Sequence, residues 1–109
     1  MARYIITGNF TSTAAKGMLA HPSDRQKAVA PLIEAAGGRL EQYLVTTGKT
    51  DFLMIVTADD TQALVGALLV AGASGAVANL QTVQAFTSAE FLSAQQRAGN
   101  LAPRYQAPG

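Results

Sequence analysis

The chain contains no cysteine. A disulfide framework, a zinc–thiolate site and a thiol nucleophile are therefore excluded. Histidine occurs once, at His21. No multi-histidine metal site can form, and the one histidine-based ligation left is a lone axial bond to haem. Charge is sparse: Asp, Glu, Lys and Arg make up 14% of the residues, against about 25% in ordinary soluble domains. Eight basic and seven acidic residues are scattered without a basic run, which argues against a nucleic-acid partner. No apolar run approaches the ~20 residues of a membrane-spanning helix. Met1-Ala2-Arg3-Tyr4 leads into a strand pattern with no signal-peptide character, so a cytoplasmic protein without a membrane partner is expected. No carboxylate pair shares a helix face, and no Ser-His-Asp arrangement can be argued from order or spacing.

What is present is apolar. Hydrophobic residues make up 49% of the 109. With so little charge, that composition predicts surface hidden between copies of the chain. One domain is expected at this length. Its organising stretch is Val45 to Val56, which reads as strand, polar turn, strand. Gly48 can take the positive φ that tight hairpin loops demand, and Asp51 can accept backbone N–H bonds within the turn. Phe52 to Val56 is apolar without alternation, the pattern of a strand covered on both faces. Gly48-Lys49-Thr50 imitates the end of a phosphate-binding loop. Tyr43 stands where that motif needs glycine, and a strand follows where it needs a helix, so nucleotide binding is rejected here.

The rest of the chain supplies the partners of that hairpin. Arg3 to Phe10 reads as the first strand, with Gly8 and Asn9 marking a bulge or a close backbone approach at its far end. Thr11, Ser12 and Thr13 offer N-cap hydroxyls to a short helix from Ala14 to Leu19. Pro22 and Asp24 restart the helix, with Ala28, Val29, Leu32, Ile33 and Ala36 as its apolar stripe. Pro31 predicts a kink or a break, and Gly37-Gly38 the end. In the second strand, Arg39 to Thr47, Leu40 and Leu44 are expected on the face opposite Tyr43 and Val45. After the third strand, Asp59-Asp60 caps a helix whose Ala63, Leu64, Ala67, Leu68 and Ala71 face the sheet. Leu69 and Val70 lie off that stripe. Val77 to Phe86 is the fourth strand. Ser88 is expected to cap a last helix reaching Arg97, and a tail follows from Gly99.

The order βαββαβ predicts an α+β, ferredoxin-like fold: a four-stranded antiparallel sheet with two helices on one face. Its bare face needs a cover, and two such sheets packed face to face would make a dimeric α+β barrel. Residues 1–87 would form this domain and residues 88–109 a C-terminal helix and tail. At this point the sequence resembles the GYD-domain family. The resemblance rests on Tyr4-Ile5 with Gly8-Asn9-Phe10-Thr11, on Lys16-Gly17 and Arg25, and on Gly37-Gly38-Arg39-Leu40. It continues through Gly48-Lys49-Thr50-Asp51, Asp59-Asp60, Gly72-Ala73-Ser74-Gly75 and Ala85-Phe86-Thr87. The name-giving Gly-Tyr-Asp stands here as Lys49-Thr50-Asp51. The resemblance implies a ferredoxin-like fold and dimers or higher assemblies, and it implies no established reaction.

Seven residues are candidates for a site. His21 is the one side chain that titrates near neutrality unaided, hence a candidate general base or axial ligand. A structural place at the start of a helix is the plainer reading. Arg25 could hold a carboxylate or enolate bidentately; His21 and Arg25 are the catalytic candidates. Tyr4, Asn9, Thr11, Tyr43 and Asp51 are the ligand-binding candidates, weighed against core packing for the tyrosines, capping for Asn9 and Thr11, and turn stabilisation for Asp51. No metal and no cofactor is expected. The leading functional expectation is a homodimer or higher even oligomer that binds a small apolar or anionic organic ligand. The alternatives are a cofactor-free or haem-dependent monooxygenase, isomerase or decarboxylase acting on a small aromatic or lactone substrate, and an accessory subunit of a larger enzyme.

Overall fold

Alternation in two adjacent strands sets the architecture. In a computed structural model that describes residues 1–109, β1 (Ala2–Phe10) and β3 (Phe52–Ala58) pair antiparallel at the sheet centre. Tyr4, Ile6, Phe52, Met54, Val56 and Ala58 point to one face and are buried. Two crossovers complete the fold. The first carries α1 (Ser12–Ala20) and α2 (Arg25–Ala35) into β2 (Gly38–Val45); the second carries α3 (Thr61–Ala73) into β4 (Val77–Ala85). The sheet order is β2-β3-β1-β4, all neighbours antiparallel, which is the ferredoxin-like arrangement. Ile33 of α2 and Leu64 of α3 close the core over the buried face.

The caps are local and legible. Thr11 accepts from the Ala14 amide at 3.2 Å, and Asp60 accepts from Ala63 at 3.1 Å. Gly37 ends α2 at φ +80°, the left-handed conformation glycine adopts without a Cβ penalty. Asp24 does not sit in the first turn of α2. It is the N-cap, accepting from Gln26 and Lys27 at 3.0 and 3.3 Å, and Pro22 lies outside the helix. Pro31 does not break α2, which runs as one helix from Arg25 to Ala35. Ile33, just beyond the proline, is buried against the sheet and anchors the second half of the helix.

Two bulges correct the strand reading. Leu40 pairs with Val56 but Gln42 pairs with Ile55, so Glu41 is an extra residue. The extra residue puts Leu40 and Tyr43 on the same, helix-covered face. In β4 the register slips between Thr7 and Asn9 of its partner, and Asn79 takes φ 54° there. That slip likewise turns both Val77 and Leu80 toward the core.

The other face of the sheet has no cover within the chain. Ile5, Leu53, Ile55 and Val83 form apolar cross-strand neighbours on it, with Leu44 beside them. Val83 is 56% exposed and Leu44 44%. The apolar third strand is thus buried on one side and half-exposed on the other.

The last helix, α4 (Ser88–Leu101), leaves the body, and none of its residues is buried. Its cap is Thr87, not Ser88: Thr87 accepts from the Glu90 amide at 3.1 Å while Glu90 accepts from the Thr87 amide at 2.7 Å. This capping box holds the Glu90 carboxyl below its ordinary pKa. The helix runs on to Leu101, and a 3-10 turn follows at Ala102–Arg104. With this arm the radius of gyration is 17.7 Å, against about 13 Å for a compact chain of this length.

Gly8 tests the packing of the central strands. A Cβ there would sit 2.7 Å from the Phe52 ring, 2.9 Å from Leu80 and 3.2 Å from the Ala78 carbonyl. Gly8→Ala should lower unfolding free energy by about 1–3 kcal/mol in urea titration, the usual cost of overpacking. Gly66→Ala, in open space on α3, should raise it by up to about 1 kcal/mol.

Candidate functional site

On the helix-covered side the packing is incomplete. The β1–β3 floor presents Phe10, Phe52 and Met54, and Tyr43 adds a wall from β2. The rings are ordered: Phe52 lies 5.3 Å from Phe10 and stacks at 5.9 Å on Tyr43. Over this floor, α2 and α3 contribute their apolar stripes, but α1 has no buried residue. The bulge-turned residues Val77 and Leu80 reach the same space. Between these walls lies a partly open cavity of about 260 Å³, with 15 hydrophobic residues among its 18.

Its polar groups are few: the Tyr43 hydroxyl, Ser23 and Arg25. The Arg25 guanidinium donates to Ser23 Oγ at 3.0 Å. No carboxylate pairs with it; the ion pairs of the molecule are Met1–Asp59, Arg3–Glu90 and Arg39–Glu41. Burial pushes the Tyr43 hydroxyl above its ordinary pKa of 10.0, and the positive charge of Arg25 pulls it part of the way back. The cavity therefore has an apolar interior and one uncompensated cation.

Of the seven candidate residues, Arg25 and Tyr43 come together here. His21 is exposed at the C-cap of α1 and does not line the cavity. Tyr4 is buried, 6% exposed, with its hydroxyl bonded to Thr61 Oγ1. The Asp51 carboxylate does not bond within its own turn, which is closed instead by the Asp51 carbonyl accepting from the Thr46 amide at 2.9 Å. The carboxylate accepts from the Phe10 amide at 2.9 Å and from Asn9 Nδ2 at 3.2 Å. Asn9 also donates to the Lys49 carbonyl, and Thr11 donates to the Gly75 carbonyl at 2.6 Å. These three residues tie the end of β1 to two neighbouring loops. The aromatic floor and Met18 went unread in the sequence. The stripes of α2 and α3 were its visible signal. No group of three or more acidic or histidine side chains lies close enough to hold a metal ion.

Residues 4–94 match the family model described as the GYD domain. The chain belongs to the GYD-domain family. No curated protein matches the sequence. Among solved structures, MtbAldR superposes with a TM-score of 0.55 at 17% identity, over 80% of this chain and 53% of that one. The GYD chain thus spans about half of the MtbAldR chain. TTHA0845 from Thermus thermophilus superposes with a TM-score of 0.51, also at 17% identity, over 81% of this chain and 96% of that one. Identity that low shows a shared fold alone. Within this GYD domain, the residues of the family pattern serve the backbone: Gly8 lets β1 approach Phe52, Gly37 and Gly75 take φ +80°, and Asn9 and Asp51 join loops.

The two groups at the cavity can be tested against each other. In alkaline absorbance titration, the component lost in Tyr43→Phe should ionise above the ordinary tyrosine range. Arg25→Gln should push it higher still, because the charge that favours tyrosinate is gone. Stability should correspondingly fall as pH rises past the unfolded tyrosine value and through the higher folded one. A Tyr43 component at or below the ordinary value would contradict the burial of this hydroxyl.

Proposed function

We propose that this GYD-domain protein is a homo-oligomer that binds a small organic molecule in the cavity between its helices and its sheet. The cavity carries this reading. A space with an apolar lining and a few convergent polar groups is the usual form of a ligand site. At about 260 Å³ it lies just under the range of roughly 300–1,000 Å³ of sites for drug-sized ligands, so its occupant is small.

What supports the oligomer is the uncovered sheet face together with α4. Five apolar side chains on one sheet face, without cover, fit a contact with a second copy packed sheet to sheet as an α+β barrel. The ion pair from Arg3 on that face to Glu90, at 3.8 Å, places the first turn of α4 beside it. Phe91, Ala94, Ala98 and Leu101 follow helical spacing along α4 and are exposed, a second apolar stripe without cover in the chain.

The catalytic alternative has less support. Its proton-transfer candidate, His21, stands outside the cavity lining, which leaves Arg25 and a tyrosine that is neutral at physiological pH. Those two groups suit binding better than proton transfer.

Native mass spectrometry of freshly purified protein should show an even oligomer carrying extra bound mass. Ile55→Lys, at the centre of the uncovered face, should convert it to monomer, since a charge there would be buried unpaired. A wild-type monomer would overturn the sheet-face reading, and an oligomer that never carries or takes up a small molecule would overturn the binding reading.

A further inference from the structure

The chemistry of the cavity selects among small molecules. Its interior offers nothing to a polar or doubly charged guest: beyond Tyr43, Ser23 and Arg25, every lining side chain lacks a polar atom. Its single charge is positive, and no acidic residue lines it. Arg25 is half-buried and holds only the Ser23 hydroxyl, at 3.0 Å, so most of its fork of donors is free. A guanidinium without a carboxylate partner, set against an apolar space, matches a planar anionic oxygen pair. At about 30 Å³ for each water-sized group, the cavity holds roughly eight or nine such groups.

We propose that the ligand is an amphiphilic monocarboxylate of about eight carbons, with its hydrocarbon part in the cavity and its carboxylate on Arg25. This assignment rests on the reading of the cavity as a binding site and goes one step further, to the class of ligand and its orientation. Head and tail make separate contributions. The tail is held by removal of apolar surface from water, which any eight-carbon chain supplies. The head is held by a charge-assisted, two-point contact that an alcohol cannot make and an ammonium group would oppose. Tyr43 and Arg25 line the same cavity, so the aromatic wall stands on the side of the guanidinium.

Isothermal titration of the full chain with octanoate, 1-octanol and octylammonium near pH 7.5 separates these contributions. Lipophilic resin first strips any co-purified ligand from the folded protein, and native mass spectrometry confirms that the stripped protein carries no bound mass. Octanoate should bind at least tenfold tighter than octanol, and octylammonium weakest. Arg25→Gln should bring octanoate within about twofold of octanol while leaving the octanol affinity in place. Ala71→Phe, which fills the cavity from α3, should abolish both in protein whose circular dichroism and melting temperature show it folded. Equal binding of octanoate and octanol by the wild type would overturn the carboxylate assignment and leave the cavity reading standing. Binding of none of the three would overturn both. Octanoate that still binds the folded Ala71→Phe protein would show a site elsewhere and overturn the assignment as well.

Discussion

The pairing of β1 with β3 is the constraint on which the rest of this structure depends. Tyr4, Ile6, Phe52, Met54, Val56 and Ala58 all lie on these two strands, and only Ile33, Leu64 and Ala67 are buried from the helices. A core concentrated in two strands binds tightly whatever lies across their centre. It grips loosely what lies toward their ends. The helix α1, with no buried residue, is of the second kind, and the cavity opens where its small and flexible side chains, Ala14, Gly17 and Met18, meet the aromatic end of the floor. A larger side chain at Gly17 would close space that glycine leaves empty, so the cavity follows from which residues α1 carries.

Much of the fold was legible because its signals are local. The Asp60 carboxylate, the Thr11 hydroxyl and Gly37 each satisfy or end a helix through atoms within four residues of themselves, and Asp24 does so one position outside the first turn expected of it. The bulge at Glu41 was not legible, and the slip at Asn79 showed only from its partner strand, as the bulge or close approach read at Gly8-Asn9. A bulge is a mismatch between two strands, and neither strand fixes it alone. Its effect is large, because one inserted residue reverses the facing of everything beyond it. Reading β2 with unbroken alternation separates Leu40 from Tyr43, and only the register places both against the core. The cavity inherited that difficulty. Tyr43, Val77 and Leu80 face it through the two bulges, so its walls could not be assembled from periodicity. Ser88 failed as a cap for a simpler reason. Thr87 has the same chemistry one residue earlier, and Glu90 stands at the spacing that completes a capping box with Thr87.

The polar candidates divide by what their neighbours demand. Asn9, Thr11 and Asp51 sit where β1 ends and the loops after β2 and α3 arrive, a place with backbone groups that the sheet does not pair. Each spends its hydrogen bonds there. Tyr4 lies deep enough that its hydroxyl must find a partner, and Thr61 at the start of α3 is in reach. These demands come from the backbone itself, so the residues that meet them here speak to architecture. Arg25 differs. Nothing in the backbone requires a cation at the start of α2; the positive end of the helix dipole makes it mildly unfavourable. A charge placed against the local electrostatics and left without a carboxylate is more informative about function than the glycines and caps around it.

Period-two alternation also keeps the two proposed surfaces apart. Met54 looks into the cavity side and Ile55, the next residue, looks out from the uncovered face. Copies packed on Ile55 and its neighbours would leave the helix side, and the cavity on it, outside the contact. The ligand and the partner would then occupy opposite faces of one sheet about a strand's thickness apart. Any coupling between them must pass through the sheet, whose four strands all carry side chains to both faces. Gly8 marks the point of least tolerance in that sheet: Phe52, part of the cavity floor, and Leu80, part of its wall, already lie against it, so β1 has little room to shift without moving both.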